Sequence, residues 1–333
     1  MPVRPLWHSR FVVPLRAVEL FLEALDGEGI SVSAFEEPNG DAGAGELWLL
    51  ELIQDREPDR RALAARLAPL AERSGLGRID LTVAPMPSAD WLARTAEGFP
   101  PQAIGRFWIR GTHVTEAPPR DTVAIRLDAG LAFGSGEHAT TQGCLLALDH
   151  LARRRRFKRV LDLGCGSGIL AIAVARLWPA RVVASDNDPV AVEVARRNAA
   201  INQVAHRIRC VAGDGYSHPA IRAFGPYELI CANILADPLC DMARETARHL
   251  APGGIAVLSG LLDRQAARVL EAHRRAHLRP GREITIGIWT TLVVTQSSFS
   301  SPVPRPRTPS RSSSRADAPK RTVSGEVQPE PRK

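Results

Sequence analysis

The sequence predicts an α/β chain in two parts: a small ferredoxin-like α+β domain, then a larger domain built on a parallel sheet with helices on both faces. Two patterns and one turn carry that reading. The first ninety residues alternate strand-like and helix-like runs in the order βαββαβ, which is the order of a split βαβ unit. From Asp121 onward, strands are separated by longer helices, and that alternation calls for a parallel sheet covered on both sides. Within this part "VLDLGCGSG", Val160 to Gly168, ends a strand and opens a helix, the place where an open α/β sheet presents its ligand crevice.

In the small domain, "HSRFVVP" reads as a strand and "RAVELFLEALDGEG" as a helix stopped by glycine. "ISVSAFEEP" and "ELWLLELIQ" follow as strands across a glycine-rich turn, "DRRALAARLAPLAERSGLG" as a second helix and "RIDLTVAP" as the last strand. The domain is assigned to residues 1–88. Residues 89–120, aromatic and punctuated by Pro and Gly, are read as a linker packed on one or both domains. The large domain spans 121–296 and closes with "REITIGIW" and "TTLVVTQ", close enough together for a hairpin. Residues 297–333 are rich in Ser, Pro and Arg and are expected to be a disordered tail.

Composition narrows the function classes. With 333 residues and 44% hydrophobic content the chain can bury a sizeable core. It has no run near the roughly 18 apolar residues of a membrane span, and its N-terminus lacks the apolar centre of a signal peptide, so a cytoplasmic location is expected. Five cysteines without paired spacing, Cys144, Cys165, Cys210, Cys231 and Cys240, read as reduced core residues. The net charge of +7 points to nucleic acid only if it is spread over the fold, and it is not. Residues 1–100 carry 10 basic and 16 acidic side chains, whereas residues 296–333 carry 8 and 3. No nucleic-acid requirement is expected, and the acidic first hundred residues suit a basic partner.

The glycine turn identifies the ligand by what it lacks. Gly164, Gly166 and Gly168 space GxGxG, so the third glycine comes one residue earlier than in a dinucleotide fingerprint. Asp162 stands two residues before the first glycine, poorly suited to a pyrophosphate but well suited to the ammonium of an amino-acid-like ligand. The next strand ends at Asp186, 22 residues after Gly164, where a carboxylate can accept from both hydroxyls of a ribose. A nucleoside carrying an amino acid, with no phosphate, describes S-adenosylmethionine. Asp214 in "AGDGY" ends the third strand in reach of an adenine amino group, although Asp-Gly is also an ordinary turn. Asn233 ends the fourth, where a carboxamide either caps the turn or orients an amine nucleophile.

"FGSGEHATTQ", Phe133 to Gln142, admits a metal only superficially, since Glu137 and His138 have no second histidine four residues on. It reads as a threonine-capped helix start or as a glycine-hinged loop over a ligand.

Five stretches in order, "FGSGEHATT", "VLDLGCGSGILAIA", "SDNDPVAVEVARRNAAIN", "ANILADPL" and "LAPGGIAVLSGLLDRQA", resemble the bacterial methyltransferases of ribosomal protein L11 over roughly Asp90 to Val294. The chain departs from that family at Glu137, usually Thr, and at Ala139, usually Pro. The resemblance implies a Rossmann-like seven-stranded class I methyltransferase domain tethered to a ferredoxin-like domain that recognises the ribosomal protein. It implies S-adenosylmethionine contacts at Thr141, Gly164, Asp186 and Asn233, and trimethylation of lysine side chains and an N-terminal amine, by a monomer. Three alternatives remain open on the sequence: another protein or RNA acceptor, a regulatory S-adenosylmethionine-binding module, and a nicotinamide dehydrogenase.

Overall fold

The computed structural model describes residues 7–25, 31–36, 47–85, 101–127 and 139–297. The stretch 133–138 and the tail from 298 on lie outside the described residues.

The small domain begins with β1 (Trp7–Pro14) and α1 (Leu15–Leu25), followed by β2 (Ser31–Glu36), β3 (Leu47–Gln54), α2 (Arg60–Arg73) and β4 (Thr82–Pro85). Its antiparallel sheet runs β2-β3-β1-β4, the ferredoxin-like order. α1 buries Ala17, Val18, Phe21 and Leu25, and α2 buries Leu63, Leu67 and Ala71, both at helical spacing. These faces meet Phe11, Val13, Leu50 and Leu52 of the sheet in one core. Asp59 starts α2 by accepting from the backbone N–H groups of Arg61 and Ala62.

Residues 102–111, read from the sequence as part of a linker, form β5 (Gln102–Ile104) and β6 (Phe107–Gly111), which pair with β7 (Val123–Leu127) in a three-stranded sheet. Phe107, Ile109 and Ile125 are fully buried and belong to the core of the large domain.

That domain continues through α3 (Ala139–Ala152), β8 (Arg159–Leu163), α4 (Ile169–Leu177), β9 (Arg181–Asp186), α5 (Pro189–Ile201), β10 (Ile208–Ala212), α6 (Pro219–Phe224) and β11 (Tyr227–Asn233). It ends with α7 (Ala236–Asp241), α8 (Ala243–His249), β12 (Leu250–Leu262), α9 (Asp263–Arg275), β13 (Leu278–Ile286) and β14 (Trp289–Gln296). The seven-stranded sheet runs β10-β9-β8-β11-β12-β14-β13, and β14 is antiparallel to both its neighbours. The first five strands of that order are mutually parallel.

Alternate residues of each strand enter different cores, as the period of two requires. Val160, Val182, Leu229 and Val257 face α3, α4 and α5. Leu161, Val183, Ile230 and Leu258 face α6, α7 and α9. α4 buries every residue from Ile169 to Ala175, so its sequence is apolar all round rather than striped. The chain leaves β8 for β9 and β10 on one side and returns to β11 on the other, which puts the topological switch point between β8 and β11.

Because Phe107 is buried in the large core, Phe107→Ala is expected to cost about 3–5 kcal/mol. Val12→Ala, at a side chain 39% exposed, is expected to stay within about 0.5 kcal/mol. Urea denaturation of the two variants checks both values.

Candidate functional site

The loop after β8 needs three left-handed residues in five, with Gly164 at φ 68°, Gly166 at 51° and Gly168 at 78°. Each would cost an L-residue with a Cβ roughly 1–2 kcal/mol. Gly164 is also closed by contact, because a Cβ there would stand 2.3 Å from Ile234 Cγ2. The loop is held to the next strand by its own backbone: Gly164 N and Cys165 N donate to Ser185 O at 2.8 and 3.0 Å. Gly166 N donates to Asp186 Oδ2 at 2.8 Å, while Asp188 N donates to Asp186 Oδ1 at 3.0 Å. A carboxylate has about four acceptor positions, so Asp186 retains capacity for a diol.

Asp162 is 1% exposed. Its Oδ2 accepts from Ala171 N at 2.8 Å, tying β8 to the first turn of α4, and its Oδ1 has no protein partner. Burial pushes its pKa up to about 8, against the Ala171 hydrogen bond that lowers it, with the charge of Asp186 adding to the rise.

Asn233 leaves β11 where β12 approaches most closely. Ile234 N donates to Ser259 O at 3.0 Å, and a Cβ on Gly260, at φ 85°, would lie 2.4 Å from Ile234 O. The Asn233 amide donates through Nδ2 to Thr141 Oγ1 at 3.4 Å, and its buried Oδ1 has no protein partner. α3 starts at Ala139, with both threonines inside its first turn, so neither caps it. That turn is fixed from below by Ser259 Oγ, which donates to Thr140 O at 3.1 Å and lies 2.7 Å from Thr291 Oγ1.

These pieces enclose a cavity of about 450 Å³ along the carboxyl ends of the strands. Of the residues expected from sequence, Gly164, Gly166, Asp186, Asp214 and Asn233 line it. Asp162 and Thr141 are not on the wall: the first lies beneath the glycine loop, the second behind Asn233, and Thr140 is exposed to the cavity instead. Sequence reasoning missed Ser185, Gly260 and Met242 on the wall, and also Val32 of β2 and Trp289 of β14. Gly260 had a readable signal, a glycine at the end of an apolar strand, but Val32 comes from the small domain and only tertiary structure brings it here. Ile288, next to Trp289, packs against the small-domain core. Among the described residues that line the cavity, the charged ones are Asp186 and Asp214, and none is basic. Such a wall suits hydroxyls and cations and repels a pyrophosphate. The described residues contain no group of three or more His, Cys, Asp or Glu side chains able to hold a metal.

Buried Asp162 Oδ1 and Asn233 Oδ1 lack protein partners on either side of a glycine cradle with no room for side chains, and a carboxylate stands ready for a ribose. That combination fits S-adenosylmethionine. Fold and site together define a Rossmann-like class I methyltransferase. Within that class the chain belongs to the ribosomal protein L11 methyltransferase (PrmA) family, whose model matches residues 36–297. It is 39% identical over 281 residues to the ribosomal protein L11 methyltransferase of Bradyrhizobium diazoefficiens, covering 84% of this chain and 92% of that one. The Brucella abortus enzyme of the same name is 41% identical over 239 residues, 72% of this chain and 82% of that one. Among solved structures, a ribosomal protein L11 methylase from Lactobacillus delbrueckii subsp. bulgaricus is 29% identical with a TM-score of 0.53, covering 59% of this chain and 96% of that one.

The raised pKa of Asp162 has a signed consequence for stability. Its proton is released near pH 4 in the unfolded chain and near pH 8 in the folded one. Its contribution is therefore complete below pH 4 and lost progressively as the pH rises to 8. The stability of the wild type minus that of Asp162→Asn is expected to fall between pH 5 and pH 8, measured by urea denaturation of the ligand-free proteins across that range.

Proposed function

We propose that the chain transfers methyl groups from S-adenosylmethionine to lysine side-chain and N-terminal amines of ribosomal protein L11, up to the trimethylated state. The observation that carries the acceptor is the extent of the family match: from residue 36 to 297 it takes in β3, α2 and β4 of the small domain as well as the methyltransferase domain. Both curated relatives described above carry the same substrate in their names. The reading adds a monomer acting in the cytoplasm, where ribosomal proteins are made, without nucleic acid. Among the described residues no helix is long and apolar enough to cross a membrane.

Asp186 would hold the ribose hydroxyls and Asp214 the adenine amino group, while the backbone of Gly164 and Gly166, on the cavity wall, would meet the amino-acid half. Asp162, through the oxygen left free by Ala171, would meet the ammonium directly or through water. S-adenosylmethionine held there would supply an electrophilic methyl group on a sulfonium, a good leaving group for attack by an amine.

The protein's own task is alignment and exclusion of water. An amine attacks through its lone pair, so a lysine with an ordinary pKa near 10.4 must first give up a proton to solvent. Asn233 orients the neutral amine. Its Nδ2 is engaged by Thr141, which leaves Oδ1 to accept an amine N–H at the end of β11. Thr141 thus acts by fixing the amide of Asn233, and Ser259 acts by fixing the turn that carries Thr141. The described wall carries no basic side chain, and a sulfonium leaves as a neutral thioether without needing a general acid.

Transfer of labelled methyl from S-adenosylmethionine to purified L11, followed by mass spectrometry of the product, tests the reaction. Methyl groups on lysine or N-terminal amines, lost with Asp186→Ala, are the expected result. Donor binding without transfer to L11 would leave the methyltransferase class standing and exclude this acceptor. Asn233→Ala is expected to lower kcat by about 100-fold at saturating donor, the cost of a misplaced nucleophile. Wild-type turnover in that variant would rule out the orienting role.

A further inference from the structure

The end of the cavity that holds Asp214 has two walls from different parts of the chain. One is the Asp214–Gly215 turn leaving β10, and the other is formed by Leu235, Pro238 and Met242 around α7 and the start of α8. The first wall follows β10 and the second follows β11, so a distance of three strands separates the elements that carry them.

Tyr216 spans that distance. It is 5% exposed, its hydroxyl lies 2.9 Å from Thr246 Oγ1, and its ring stacks on His249 with centroids 4.6 Å apart. Thr246 Oγ1 donates its single proton to Met242 O at 3.1 Å, so the Tyr216 hydroxyl is the donor in the first bond. Burial pushes the Tyr216 pKa up, which keeps that donor protonated. On the other side Ser217 N and Oγ bind Asp214 O at 3.0 and 2.5 Å and fold Tyr216 back beneath the turn. The space beside Gly215 is narrow: a Cβ there, at φ 49°, would stand 2.9 Å from Met242 Sδ.

We propose that Tyr216 is a positioning residue for the cofactor: the chain Tyr216–Thr246–Met242 sets the width of the slot that receives the adenine ring. It governs affinity for S-adenosylmethionine without touching the methyl group or the acceptor. The proposal rests on the cavity being the S-adenosylmethionine site, and its test separates the two claims.

Binding of S-adenosylmethionine and S-adenosylhomocysteine to the full chain is measured by calorimetry, alongside steady-state kinetics. Tyr216→Phe is expected to raise both Kd values about 5- to 10-fold and KM for the donor in parallel, with kcat at saturation within twofold of wild type. Thr246→Val, which cuts the same link from its far side, is expected to match it, and the double variant to add nothing further. Thr246→Ser keeps the hydroxyl and is expected to bind as wild type. Tyr227→Phe removes another buried phenol bond, the 2.8 Å donation to Ile221 O, and is expected to lower thermal stability while leaving Kd unchanged. A Tyr216→Phe variant whose Kd stays within twofold of wild type would overturn the proposal, as would equal losses in kcat and affinity. Failure of the wild type itself to bind either ligand would instead remove the cofactor assignment on which the proposal stands.

Discussion

The hydrogen bonds that bind the glycine loop to the end of β9 are the constraint on which the rest of the site depends. Ser185 O takes two consecutive N–H groups, and the Asp186 carboxylate takes a third. This arrangement exists only because three residues accept left-handed backbone, and it sets where β8 ends, where α4 begins and where Asp186 faces. Asp162 closes the same unit from beneath through Ala171 N. A buried carboxyl with one oxygen unsatisfied is costly, and here that oxygen belongs to the residue that ties β8 to α4.

A second junction supports the end of β11. Asn233, Ser259, Thr140, Thr141 and Thr291 form a polar cluster in which the end of β11, the first turn of α3, β12 and the antiparallel strand β14 are joined by hydrogen bonds. Gly143 lets α3 come this close, since a Cβ there would fall 2.2 Å from Thr291 Oγ1. The same β14 begins with Trp289 on the cavity wall, while Ile288 beside it packs into the small-domain core. Val32 of the small domain lines the same cavity. The small domain is therefore part of the wall of the site as well as a neighbour of the sheet.

Much of this was legible in the sequence because local rules and global fold agree. Strand and helix order in the small domain, the glycine turn, Asp186 at the second strand end and Asn233 at the fourth all follow from spacing and residue type. Residues 102–111 were harder: "AI" and "FWI" are too short to show a period, and their identity as strands comes from pairing with β7. The exact threonine on the wall depends on the rotation of α3, which a one-residue shift changes. Tyr216 carried no motif, because a buried phenol gains its role only when β10 and α8 are brought side by side.

Cys165 sits in the glycine loop, between Gly164 and Gly166 of the cavity wall. A thiolate there would be a stronger nucleophile than any amine substrate. Burial raises its pKa well above the ordinary thiol value, and the negative charges of Asp162 and Asp186 raise it further. Burial above all, with the two carboxylates adding to it, thus holds the sulfur of the loop as a thiol rather than a thiolate.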